Sequence, residues 1–162
     1  MTEAAQPLHF REYDTRVAAY AVIIDERGML LSWFNGNGHP DRAAWSLPGG
    51  GIDYDEQIEE GLIREIYEET GYHAELTGLL TTDSFAPSLD HRHDGERPFK
   101  SVRIVYTARI TGGTLGTVEV GGSTDKAEWH PVAGIPTLAP HVRLVDIALN
   151  AWKARVAGKP MA

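Results

Sequence analysis

The 162-residue chain contains no cysteine. Disulfides and thiolate metal sites are thereby excluded. Basic residues are scarce, with 15 Lys and Arg against 23 Asp and Glu and a formal net charge of −8. Non-specific binding of duplex nucleic acid needs clustered positive charge, so that class is excluded too. No apolar run approaches the ~20 residues that span a bilayer. Met1 to Thr15 is polar and of mixed charge, without the apolar core of a signal peptide, so the expected location is the cytoplasm. Internal repeats, low-complexity tracts and linkers are missing as well. What remains is a length that fits one domain and a 42% hydrophobic content sufficient for a core. Residues 1–15 are expected to form an N-terminal extension, 16–157 a single domain and 158–162 a frayed tail.

Arg16 to Asp25 is apolar and β-compatible, Glu26-Arg27-Gly28 is a turn, and Met29 to Phe34 makes the second strand of a hairpin. Asn35 to Arg42 is a loop rich in turn formers, followed by a short strand over Trp45 to Leu47 and a glycine loop at Gly49-Gly50-Gly51. A helix follows, with Asp55 as N-cap, a buried stripe of Ile58, Leu62, Ile66 and flanking Ile63, and Gly71 as C-cap. Gly61 interrupts it at a cost of about 1 kcal/mol against alanine, which points to a neighbouring backbone packed close. His73 to Phe85 reads as one or two strands broken near Thr77-Gly78, and 86–99 as a long loop. Ser101 to Ile110, Thr114 to Val120 and Ala127 to Pro131 read as strands, and Ala139 to Val156 as a second helix. Strands flanked by two helices suit an α/β fold, a three-layer α/β/α sandwich around a central mixed sheet.

The chemistry concentrates in Arg64-Glu65-Ile66-Tyr67-Glu68-Glu69-Thr70-Gly71. Residues three and four apart share a helix face, so Glu65, Glu68 and Glu69 point together. Clustered carboxylates repel one another unless a cation lies between them, and an all-oxygen cluster suits a hard divalent ion, Mg2+ or Mn2+. An acidic helical run is ordinarily a solvated face, the reading retained for Glu59 and Glu60. The glycine loop one helix-start away separates the other three, because glycines let backbone approach a ligand closely.

With Gly50, Glu56, Arg64, Glu65, Ile66, Glu68, Glu69, Gly71 and Tyr72 in their spacing, the segment resembles the signature of the Nudix hydrolases at every required position. Trp45-Ser46-Leu47-Pro48-Gly49 is similar to the usual lead-in. The resemblance implies the Nudix fold and a Mg2+-dependent hydrolase of a pyrophosphate bond. Its implied metal ligands are Glu65, Glu68, Glu69 and the Gly50 carbonyl. Its implied catalytic residues are Glu65, which ligates metal or helps deprotonate water, Glu68, and Arg64, which orients a carboxylate. Glu56 binds metal at longer range or braces the loop. Asp53 stands where the family often has glutamate, and Asp55 where it often has glycine.

The remaining sites are open. Asp94, Glu96, Glu119, Asp125 and Glu128 are candidates for a further acid or base, with Glu119 and Asp125 preferred because they flank a glycine turn. Arg42, Arg92, Arg97, Lys100 and Arg103 are candidate anion contacts, of which Arg42 and Arg103 are chosen as substrate-binding together with Glu119 and Asp125. His91-Arg92-His93 is a metal or phosphate element or a polar loop. Tyr20, Trp33 and Phe34 stack a base or pack the core, as Trp45 and Trp129 are expected to do. The expected substrate is a small nucleoside diphosphate linked to another moiety, with a nucleoside triphosphate as the alternative. A non-catalytic nucleotide sensor is the reading from a different class, disfavoured because such domains usually lose signature carboxylates. An isopentenyl diphosphate-type isomerase would require the cysteine this chain lacks. Self-association as a homodimer is left open.

Overall fold

The computed structural model describes residues 7–87 and 97–158. His91-Arg92-His93, Asp94 and Glu96 lie outside the described residues. Seven strands form a mixed sheet with a helix on each face: β1 (Asp14–Asp25), β2 (Gly28–Phe34), β3 (Ala44–Ser46), β4 (Gly49–Gly51), α1 (Ile58–Thr70), β5 (Tyr72–Phe85), β6 (Phe99–Gly113), β7 (Thr124–His130) and α2 (Arg143–Val156). The strand order is β3-β2-β1-β6-β5, with β4 on β1 and β7 on β2. β1 and β6 run parallel, and the other pairs are antiparallel.

Strict alternation on β1 builds the two cores. Ala19, Ala21 and Ile23 face α1, joining Leu62 and Ile66, while Val22 faces α2, joining Leu144, Val145, Ala148 and Leu149. Side chains on a strand alternate between faces, so one apolar run serves both helices. The two alanines on the α1 side leave α1 room to lie close to the sheet.

The sequence reading needs correction at several places. Gln57, not Asp55, is the N-cap of α1. Residues 53–56 instead close on themselves, with Glu56 N–H on the Asp53 carbonyl and Asp53 N–H on Glu56 Oε2. Ile63 is exposed rather than part of the buried stripe. What packs against Gly61 is not backbone: a Cβ there would stand 2.7 Å from Glu56 Oε2 and 2.8 Å from Ile52 Cδ1. Gly49–Gly51 is a short strand, not a free loop, paired with Ala18–Tyr20 of β1. β5 is one strand whose register shifts around Leu76/Gly78.

The segment after β6 is no strand either. Its backbone is committed to the end of α1: Gly116 N–H donates to the Thr70 carbonyl, and Val118 and Glu119 N–H both donate to that of Glu68. Helix ends leave carbonyls without intrahelical partners, and this segment supplies the donors. Gly71 does cap the helix, at φ 71°.

α2 begins at Arg143 rather than Ala139 because the preceding residues are tied to β3. Trp45 N–H donates to the Pro140 carbonyl and Val142 N–H to that of Trp45. His141 holds the entry to α2, with Nε2 2.9 Å from Asp146 Oδ2 and Nδ1 against the Leu138 carbonyl. Acceptors at both ring nitrogens favour the imidazolium, so the Leu138 carbonyl first, then Asp146, raises the pKa above the usual 6.5. Stability from this charge is complete below pH 6.5 and is lost as pH rises through the folded value. The melting-temperature advantage of the wild type over His141→Gln is therefore expected to be larger at about pH 6 than at about pH 9. Equal differences at both would remove the imidazolium from the account. Among the described residues no helix is long and apolar enough to cross a membrane.

Candidate active site

β1 pairs with β2 only at its far end, Ile24 with Met29 and Asp25 with Gly28. Nearer its start it pairs with β4 instead. The sheet splits there, and a cleft of about 420 Å³ opens between its two parts. Glu65 and Glu69 from α1, Gly49 to Gly51, Ser32 and Phe34 of β2, Thr124 of β7, Glu119, and Arg16, Tyr20 and Arg103 of the β1–β6 pair line it.

Glu69 is 6% exposed. Its Oε2 accepts Gly49 N–H at 3.0 Å and its Oε1 the Thr124 hydroxyl at 2.5 Å. Gly49 can approach so closely because φ is +133° and a Cβ would collide with the Ala19 carbonyl. Burial outweighs these donors and pushes the Glu69 carboxyl up to about 7. Thr124→Val removes one donor from a buried acceptor, a loss of about 1 kcal/mol. It should lower the melting temperature modestly and displace Glu69, reducing turnover severalfold. Turnover unaffected by Thr124→Val would show that the hydroxyl does not position Glu69.

Arg64 gathers the other carboxylates. Its Nε and Nη2 donate to the two oxygens of Glu56, at 2.6 and 2.9 Å. Its Nη1 is shared between Glu65 Oε1 at 3.0 Å and Glu68 Oε2 at 2.9 Å. The i,i+4 spacing predicts the Glu68 contact, whereas the fork on Glu56, eight residues away, comes from the turn before α1. Arg64 holds the Glu56 carboxyl down to about 2. Glu65 goes the other way: burial raises it, with Arg64 opposing.

Whether a divalent cation fits can be judged from the donor set. Glu65, Glu68, Glu69 and the Gly50 carbonyl offer only oxygen, as Mg2+ prefers. Gly50 lies against Glu65, where a Cβ would stand 2.8 Å from Oε2. Arg64 occupies one oxygen each of Glu65 and Glu68 and leaves the second. The Ser32 hydroxyl, buried in the same cleft, adds a further oxygen beside Glu69. The residues fit such an ion. As the side chains stand, no three acidic or His groups among the described residues converge into a finished cage, and Glu68 does not line the cleft.

Of the candidate substrate residues, Arg103 and Glu119 line the cleft; Arg42 and Asp125 do not. Arg42 ends a 3-10 turn over Pro40–Arg42, and Asp125 accepts Asn35 Nδ2 at 2.9 Å. Arg97 is spent on Asp14 and the Arg11 carbonyl, and Glu128 on Lys126. Tyr20 and Phe34 line the cleft, while Trp33 packs edge-on against Trp45 at 5.1 Å. Arg16, Ser32 and Thr124 escaped the sequence reading. None belongs to a local pattern, and only the strand register brings them to the cleft.

A family model described as the NUDIX domain matches residues 14–147. The human 8-oxo-dGDP phosphatase NUDT18 is 37% identical over 111 residues, 66% of this chain and 31% of its own length. The chain thus spans about a third of the mammalian relatives it matches. An ADP-ribose pyrophosphatase of Methanocaldococcus jannaschii is 30% identical over 138 residues, 85% of this chain and 74% of that one. The crystal structure of a MutT NUDIX hydrolase from Burkholderia pseudomallei superposes with a TM-score of 0.68 at 27% identity, over 85% of this chain and 98% of that one. The domain match spans the strands and the helix that line the cleft, and the chain belongs to the NUDIX family.

Proposed function

We propose that this protein is a Mg2+-dependent pyrophosphohydrolase, with Mn2+ as a substitute, that cleaves a nucleoside diphosphate linked to a further group. One observation carries the reading. A single cleft is lined by Glu65, Glu69 and Glu119 and also by Arg16 and Arg103. Carboxylates for a cation and guanidinium groups for the substrate thus share one enclosed space. The Methanocaldococcus jannaschii relative is named for a nucleoside diphosphate linked to a further group, which favours this class, whereas NUDT18 is named for a free nucleoside diphosphate.

A divalent ion bound at the carboxylates would neutralise phosphate charge and make water nucleophilic near neutral pH. The chain's own residues have separate tasks. Glu65, Glu68 and Glu69, with the Gly50 carbonyl, would hold the ion. Arg64 fixes the directions of Glu65 and Glu68 by charge-assisted hydrogen bonds, and Glu56 fixes Arg64 in turn. Glu119 faces Glu65 across the cleft's acidic end and is the candidate further base. Gly122 leaves the space its carboxylate fills. Arg16 packs over Gly51, where a Cβ would stand 3.0 Å from its Nη2, and so lies where phosphate oxygens would pass.

Phosphate-coupled turnover across nucleotide sugars, dinucleoside polyphosphates, nucleoside diphosphates and nucleoside triphosphates, with Mg2+ or Mn2+, tests this. The largest kcat/KM is expected among diphosphate derivatives. Faster release of pyrophosphate from triphosphates would move the protein to the nucleotide-pool class. No turnover of any, with tight binding of one, would make it a sensor.

A further inference from the structure

We infer that Arg103 is the specificity-determining residue of the cleft and selects a nucleobase carbonyl. The inference rests on the pyrophosphohydrolase reading and deepens it.

Register places Arg103 away from the acidic end. Gly51 pairs with Ala18, Ala18 with Arg103, and Arg103 with Asp83, forming one row across β4, β1, β6 and β5. Adjacent strands lie about 4.8 Å apart, so Arg103 starts two strand spacings, roughly 10 Å, from the glycine strand beside Glu65. That exceeds the span of a diphosphate. The group reaching Arg103 is therefore what the phosphates carry.

The guanidinium is held in the direction away from the carboxylates. Nη2 donates to Asp83 Oδ2 on the outer strand β5, and the Phe85 ring lies 5.5 Å from the guanidinium carbon. Asp83 and Phe85 are two apart on one strand and so share a face. The side chain is 13% exposed, and its Nε–H is buried without a partner among the described residues. Nε is sealed from the cleft, so the donors open to a ligand are the Nη1 hydrogens, which make no hydrogen bond among the described residues while Nη2 is held by Asp83.

The acceptor is a neutral one. Asp83 already balances the charge of Arg103, whereas Arg16, over Gly51, has no ion-pair partner among the described residues. Phosphate belongs to Arg16, and a carbonyl to Arg103. Guanidinium donors pair with carbonyl and ring-nitrogen acceptors of keto purines, whereas an exocyclic amino group presents hydrogens to them. Asp83 acts here as a positioning residue.

The test compares inosine and adenosine diphosphate compounds that share the same second moiety, differing at the 6-position of the base. Wild type is expected to favour the 6-keto substrate in kcat/KM by about tenfold or more. Arg103→Lys keeps the charge on Asp83 but lacks the planar guanidinium donors. It should bring the two substrates to within about twofold, chiefly by raising KM for the keto form, with a melting temperature near that of wild type. Arg103→Met should do the same where it folds. Equal turnover of both substrates by wild type overturns the inference and leaves the hydrolase reading intact. So does a uniform loss on both in Arg103→Lys, which marks a phosphate or structural role. Absence of hydrolysis of every compound in the wider panel refutes the hydrolase reading itself.

Discussion

Glu69→Gln is expected to reduce turnover of the best substrate at least about a hundredfold while the protein remains folded. The amide is isosteric with the carboxylate. Its oxygen still accepts Gly49 N–H, and the Thr124 hydroxyl can turn to accept from the amide nitrogen. What disappears is the negative oxygen a cation requires. Chelator-treated protein makes the prediction sharper. Burial raises the Glu69 carboxyl from 4.5 to about 7, so the folded state binds the proton more tightly than the unfolded chain. Wild-type stability therefore falls as pH rises from 4.5 to about 7, by roughly 3 kcal/mol in total. Without metal, Glu69→Gln should melt above wild type at about pH 8, the gap closing toward pH 4.5. Adding Mg2+ should raise the wild-type melting temperature and leave the variant unmoved. Near-normal turnover in Glu69→Gln, or an equal response to Mg2+, would dismiss Glu69 as a ligand.

Replacing Arg64 by leucine should damage both activity and stability. Three carboxylates, Glu56, Glu65 and Glu68, surround one guanidinium. Leucine leaves them facing each other, partly shielded from solvent, and frees Glu65 and Glu68 to rotate away. A fall in kcat/KM of roughly a hundredfold is expected, the range for losing the group that orients metal ligands. Arg64→Lys should lie between the two, because it keeps the charge and loses the fork that grips Glu56. The pH dependence follows from Glu56, whose carboxyl is depressed from 4.5 to about 2. That stabilisation is complete above 4.5 and vanishes as pH falls through about 2, so the melting deficit of Arg64→Leu should be full at neutral pH and shrink in acid. A deficit unchanged between neutral and strongly acidic solution would mean that Arg64 packs rather than pairs.

The family and the acidic segment were legible because they are local. Helical spacing alone sets Glu65 beside Glu68 and Glu69, and Gly71 ends the helix where its φ of 71° requires. The two-sided core was not legible, because Arg16 to Asp25 reads as one continuous apolar run and only the packed helices show which side chains face which layer. Misreadings came where distant backbone competes. Thr114 to Val120 has strand-like residues, yet its N–H groups go to the orphan carbonyls of α1. Residues 139–142 fit a helical period, yet β3 takes their hydrogen bonds.

Sequence by itself determined the family and the placing of an acidic helix after a run of glycines, since both are set by local spacing. Only the tertiary structure decided which other residues meet that helix. Arg103 and Arg42 were indistinguishable as arginines in the sequence; strand register carries the first into the cleft and leaves the second outside. Arg16, Ser32 and Thr124 reach Glu69's surroundings through pairings spanning the chain, and burial, which alone separates Glu69 from an ordinary surface glutamate, exists only once those strands have closed around it.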